Sequence, residues 1–206
     1  KVLKEALEIW IRLLAPFAPY ICEEIWNKMG KEGFVSLAEW PIYDEKKVNP
    51  RAEETESLIE SVLEDTSNIL RATKMVPKKI CYYSATPWKW NVYLTILEKS
   101  ISTKVVLSAL MKELMTDPNL KTIAEKVAKF ASQVIEEINQ MPEDKKQRQL
   151  QIGPLDENKT LKEAGAFFER EFNAKIHTYR EDDPKRRDPK KKAELARPYR
   201  LAIYIE

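Results

Sequence analysis

Ten consecutive residues near the end of the chain, Asp183-Pro184-Lys185-Arg186-Arg187-Asp188-Pro189-Lys190-Lys191-Lys192, hold six cations and two prolines. Such a run is extended, because each proline fixes its own φ and biases the residue before it away from helix. Ammonium and guanidinium groups spread along it can lie against successive phosphates and release their counterions. The arginines can grip a phosphate with two parallel N–H donors, whereas the lysines act as mobile point charges. Arg197 stands just beyond the run. A solvated hairpin loop is the other reading, and composition by itself leaves both open. A second candidate is Lys78-Lys79 followed by Trp88-Lys89-Trp90. Aromatic rings beside cations can stack on unpaired bases while the charges hold phosphates. One of the two tryptophans is expected in a helix core, with Trp90 and Lys89 as the exposed pair. Lys121, Lys126 and Lys129 read as a solvated helix face.

Catalytic chemistry has few residues to draw on. His177 is the single histidine, so a two-histidine metal motif and a histidine-based zinc site are excluded. The four glycines, at 30, 33, 153 and 165, cannot build a P-loop or a dinucleotide fingerprint. A Ser–His–Asp triad would have to use His177, and no elbow motif stands beside any serine. An ordinary surface or edge-strand histidine is the expectation. Cys22 and Cys81 lie far apart in apolar settings and are expected as buried thiols, which suits a reducing cytoplasm. No catalytic residue, metal or cofactor is therefore expected within this stretch.

The elements that must carry the cations are mostly helical. The 206 residues are 43% hydrophobic and 33% charged, which allows one or two domains with a real core. No apolar run approaches the roughly 18 residues of a membrane span, and no signal peptide opens the chain. Lys1 falls inside a helical pattern without an initiator Met, so a piece of a longer protein is expected. The net charge of +2 is unevenly spread. Glu53, Glu54, Glu56, Glu60, Glu64 and Asp65 crowd one acidic stretch, while 74–129 and 175–200 are basic.

Leu3, Leu7, Trp10 or Ile11, and Leu14 repeat at helical spacing and predict a first helix with one buried stripe. Pro16 and Pro19 turn the chain into a second helix with Ile21, Ile25 and Trp26 inward. Gly30 and Gly33 close that helix. Asn49-Pro50 marks a boundary. A long helix over 52–74 follows, with Ile59, Val62, Leu63, Ile69 and Leu70 on its inner face and its acidic face turned from any RNA. Ile80 to Tyr83 reads as a strand, and Thr86-Pro87 as the start of a helix. Val105 to Met115 and Pro118 to about Asn139 are further helices. Pro142 to Gln151 is polar, and Gly153-Pro154 turns the chain. Thr160 to Phe172 is helical with Asn173 as C-cap, and Lys175–Tyr179 and Leu201–Ile205 are strands. The fold class expected is mainly α: the end of a helical bundle over 1–50, then a small α+β domain over 51–206 with about three strands.

Leu13-Leu14-Ala15-Pro16-Phe17-Ala18-Pro19-Tyr20-Ile21-Cys22-Glu23-Glu24-Ile25-Trp26 resembles the "L-A-P-F-x-P-x-x-x-E-E-x-W" signature of anticodon-binding domains in class I aminoacyl-tRNA synthetases. That group serves leucine, isoleucine, valine and methionine. The tail from Asp188 to Glu206 is similar to the ending of archaeal leucyl-tRNA synthetases, and the whole chain resembles the C-terminal portion of the archaeal or eukaryotic type. It departs at Tyr199 and Leu201, around which that pattern has a small residue and a proline. The resemblance implies a cytoplasmic enzyme that attaches leucine to tRNA using ATP and Mg, with catalytic and editing domains upstream. The H-I-G-H and K-M-S-K-S signatures of its catalytic domain are missing here. It also implies leucine tRNA as partner, met at its corner and long variable arm, and no membrane. The residues expected to bind it are Lys185, Arg186, Arg187, Lys190, Lys191, Lys192, Arg197, Lys78, Lys79, Lys89 and Trp90. A valyl or isoleucyl enzyme shares residues 13–26, though the α+β tail argues against it. A scaffold module of a synthetase complex, using Val105 to Met115, is the reading from another class.

Overall fold

The computed structural model describes residues 2–206, which form two compact units meeting at Val48–Asn49. In the first, α1 (Val2–Leu14) and α2 (Pro19–Lys28) are joined through the two prolines, with Pro19 at the first helical position where an N–H is dispensable. Their small core is Ile11, Ala15, Cys22, Trp26 and Val35. Most of the expected α1 stripe lies outside it: Leu3 is 86% exposed and Trp10 74% exposed. Within this unit α2 and the 3-10 turn Val35–Leu37 pack against α1, and they meet its Ile11 side. On α2 the expected Ile21 is likewise exposed, and Cys22 takes the inward position. Glu23 fixes the turn by accepting from the Val35 N–H (3.0 Å) and the Ser36 hydroxyl (3.1 Å).

The second unit starts with α3 (Pro50–Thr73), capped by the Asn49 side-chain oxygen Oδ1, which accepts from the Ala52 N–H at 3.1 Å. β1 (Lys79–Ser84) follows and becomes the centre of the sheet. Then come α4 (Pro87–Ser102), α5 (Leu107–Leu114), α6 (Pro118–Lys121), α7 (Ala124–Gln140), α8 (Glu143–Ile152), α9 (Glu157–Glu163) and α10 (Gly165–Phe172). β2 (Lys175–Arg180) pairs parallel to β1, and β3 (Ala202–Ile205) pairs antiparallel on its other side. The fold is mainly α with a small mixed sheet.

β1 is buried on both faces, which is why Ile80-Cys81-Tyr82-Tyr83 reads as an unbroken apolar run. Alternation sends Ile80 and Tyr82 to one face, against Leu58 and Val62 of α3, Leu161 of α9 and Phe168 of α10. Because the Thr66 hydroxyl donates to the Val62 carbonyl (2.7 Å), it accepts from the Tyr82 hydroxyl (3.1 Å), a relay that ties helix to sheet. Cys81 and Tyr83 face the other way, onto Ala193 and Ala196 of the segment between β2 and β3. The long helical insertion has its own core, in which Val92, Ile96 and Leu97 of α4 meet Phe130, Val134 and Ile138 of α7.

The polar stretch after Pro142 forms α8, because its buried polar groups find partners: Gln149 accepts from the Tyr93 hydroxyl (2.9 Å), and Lys146 donates to the Ser100 carbonyl (3.3 Å). Three expectations are corrected here. The single helix expected over 118–139 breaks at Thr122–Ile123, and that over 160–172 breaks at Ala164. The centre of α3's inner face is Leu58, Val62 and Thr66, while Ile59 and Leu63 sit at its margin.

Candidate nucleic-acid interface

The basic run spans the connection from β2 to β3, and four contacts hold it in place. Its alanines, Ala193 and Ala196, are packed with no exposed surface against the Cys81–Tyr83 face. The Tyr83 hydroxyl donates to the Arg187 carbonyl. The Asp183 carboxylate accepts from the Lys185 N–H at 2.8 Å. Asp188 accepts from the Lys192 N–H (2.7 Å) and the Ala193 N–H (2.8 Å). The last two contacts settle the charge. The acids inside the run spend their oxygens on backbone donors rather than on the neighbouring cations. Lys185, Lys190, Lys191 and Lys192 are exposed, and none has a carboxylate within ion-pair distance among the described residues.

Arg186 is half-buried, its guanidinium on the Asp183 carbonyl at 3.4 Å. Arg187 pairs with Glu206 at 2.7 Å. The Glu206 backbone carbonyl in turn accepts from the N–H groups of Lys78 (2.7 Å) and Lys79 (3.0 Å). Two signals far apart in sequence, Arg187 and Lys78-Lys79, thus meet at one end of the sheet. The parallel register brings Lys175 there too, opposite Lys79. That cation was not among the expected residues, since nothing in one sequence says which strand pairs with which. Arg197 pairs with Glu137 of α7 at 3.4 Å and stands apart from this group. Arg200, exposed and without an ion pair among the described residues, is a further cation of the segment.

Lys89 and Trp90 are corrected. Both lie buried, at 3% and 6% exposure, so neither offers a surface for base stacking. Trp90 packs edge-on to Tyr199 (centroids 5.0 Å apart), and Trp88, partly buried, packs edge-on to Phe130. The Lys89 ammonium instead donates to the Glu194 carbonyl (2.8 Å) and the Ala196 carbonyl (2.7 Å), and pairs with Glu181 at 2.8 Å. All three N–H donors of the ammonium are used. Burial pulls the Lys89 pKa down and pushes the Glu181 pKa up, each opposed by the partner's charge. This cation therefore clamps both ends of the basic segment to α4. The sequence shows Lys89 beside tryptophans; only the fold shows carbonyls from more than a hundred residues away closing on it.

Glu157 makes a second brace. Its carboxylate, 2% exposed, accepts from the Tyr199 N–H (2.8 Å) and the Ala85 N–H (3.1 Å). Burial pushes its pKa up to about 7, against the lowering effect of those two hydrogen bonds. It holds the turn at Pro198-Tyr199, where Tyr199 takes φ 62°, a left-handed conformation that strains a side chain. Glycine, with no Cβ, would take that φ without strain. Here the tyrosine is compensated by its ring contacts and by a hydrogen bond from its hydroxyl to the Gly153 carbonyl at 3.3 Å.

The Val105–Met115 segment, expected as an apolar partner surface, spends Val105, Leu110 and Leu114 in the insertion's own core. His177 sits on the edge strand β2, stacked on Tyr179. Among the described residues no group of His, Cys, Asp and Glu could hold a metal, and no helix is long and apolar enough to cross a membrane.

Residues 1–81 match the family described as the anticodon-binding domain of tRNA ligase. Similarity to individual proteins extends over the whole chain. It is 40% identical to a leucine–tRNA ligase of Methanococcoides burtonii over 207 residues, all of this chain and 21% of that protein. With the enzymes of Methanosarcina barkeri and Pyrococcus furiosus the identity is 38% and 37%, over 97% and 100% of the chain and 20% and 19% of each relative. Over its whole length the chain is thus similar to part of the leucine–tRNA ligases. It spans about a fifth of the length of these relatives.

Proposed function

We propose that the chain is the tRNA-gripping C-terminal portion of a leucine–tRNA ligase. The observation that carries this is the set of four lysines on the braced β2–β3 segment, whose internal aspartates are turned to the backbone and leave the ammonium groups free for phosphates. In this reading Lys185, Lys190, Lys191 and Lys192 follow the sugar–phosphate backbone, with Lys78, Lys79, Arg186, Arg187 and Arg197 at its margins. The partner is leucine tRNA, met at its corner and long variable arm. An A-form helix hides its major groove, so shape and exposed tip bases are what a protein can read there. Residues 1–50 act as the end of the anticodon-binding bundle and 51–206 as the tail domain, with 52–74 as the linking helix. A catalytic domain elsewhere in the same protein, accompanied by an editing domain, attaches leucine, with ATP and Mg as cofactors, in the cytoplasm.

The test is a salt series. The chain and its Lys190→Ala/Lys191→Ala/Lys192→Ala variant are titrated with leucine tRNA at several salt concentrations. The triple variant binds more weakly, and the slope of log affinity against log salt falls by about two, since each phosphate contact contributes roughly 0.7 to 0.9. An unchanged slope removes the segment from the interface.

A further inference from the structure

Outside the carboxyl ends of the two parallel strands, β1 and β2, lies an open cleft of about 530 Å³. Crevices at the carboxyl ends of parallel strands are where α/β sheets take their ligands, and this volume lies within the usual range for small-ligand sites. Trp90 of α4 forms one wall. Its ring is buried, and its indole N–H has no acceptor among the described residues, although it is not sealed from solvent. Asn91 of α4 and Asn158 of α9 line the same cleft, and their side-chain amides have no hydrogen bond among the described residues. Glu157 reaches its floor, with the two backbone N–H bonds described above. At the rim, Arg51 is fixed by a bond from one guanidinium nitrogen to the Pro154 carbonyl (2.9 Å), and Arg180 starts the basic segment.

We propose that this cleft takes one unstacked RNA base, with Arg51 on its phosphate and the Asn91 and Asn158 amides on its edge. An indole N–H and two side-chain amides offer both donors and acceptors, which is what the edge of a nucleobase requires. Arg180 lies five residues before Lys185, so a base held here belongs to a strand whose phosphates run toward the lysines. The inference rests on the RNA-binding reading, which concerns the loop, and adds a base subsite to it.

The chain is titrated with a short single-stranded RNA of mixed sequence and with an abasic oligomer of equal length and charge. The signals followed are the indole proton of Trp90 and the side-chain amide protons of Asn91 and Asn158. The RNA shifts all three and the abasic oligomer does not; equal shifts from both, or none from either, overturn the proposal. In parallel, the Asn91→Ala/Asn158→Ala variant loses roughly tenfold in affinity for leucine tRNA, the effect of one lost base contact, while its salt slope stays that of the parent. Full affinity in this variant overturns the cleft and leaves the loop reading intact. Base-dependent shifts in a chain that fails to bind transfer RNA overturn the loop reading and leave the cleft.

Discussion

Replacing Lys89 with methionine (Lys89→Met) keeps the length and apolar stem of the side chain and removes only its charge and its three hydrogen bonds. What is left behind is a carboxylate on Glu181 and two carbonyls, of Glu194 and Ala196, without their common donor. The Lys89 side chain is 4% exposed and that of Glu181 14%, so water cannot take the ammonium's place without opening the segment. Removing one partner of a buried pair costs about 3–5 kcal/mol, against a typical domain stability of about 5–15 kcal/mol. Within the same chain, Lys89→Met/Glu181→Gln removes the stranded charge, so it regains part of the loss. Urea unfolding reads the stability, and limited trypsin digestion reads the segment itself, since cleavage in the Lys185–Lys192 run rises when the segment is released from α4. The variant is expected to unfold at lower urea, to be cut faster at that run, and to bind leucine tRNA more weakly. A Lys89→Met chain as stable and as trypsin-resistant as the parent would refute the clamp.

Three other outcomes follow from the same contacts. Glu157 has a folded pKa near 7 against an ordinary 4.5, so the folded state holds its proton more tightly. This group's contribution is therefore greatest at and below pH 4.5 and falls by about 3 kcal/mol as pH rises to 7; unfolding measured across that window is expected to show a downward slope that Glu157→Gln reduces. Tyr82→Phe removes the donor to Thr66 and lowers stability by about 1 kcal/mol, measured by chemical denaturation, because the Thr66 hydroxyl keeps its own bond to Val62. Asn49→Ala removes the cap on α3 and costs about 1 kcal/mol in thermal unfolding, where Asn49→Gly costs only a few tenths.

Elements with local signals were legible in the sequence. Asn49-Pro50 and Thr86-Pro87 open helices where they stand, Asn173 ends one at φ 48°, and the β-prone run at 80–83 is the central strand. What escaped reading was set by partners distant along the chain. The polar 143–152 segment is a helix because Tyr93 and Ser100 satisfy its buried side chains. Lys89 looked like a surface cation because the carbonyls that bury it lie at 194 and 196. The Thr86 hydroxyl, at a correct N-cap position, reaches toward Glu181 (3.5 Å) instead of capping its helix. The cationic run itself was plain from composition. That its aspartates would turn inward to the backbone, and leave the lysines free, needed the fold.

The most direct measurement is the affinity of this chain for leucine tRNA and for the same tRNA with its long variable arm trimmed away, each across a salt series. Tighter binding to the intact tRNA, with a steep salt dependence that flattens when the arm is lost, is the expected result. Equal affinity and equal slopes for the two tRNAs would contradict the reading that this chain meets the long variable arm.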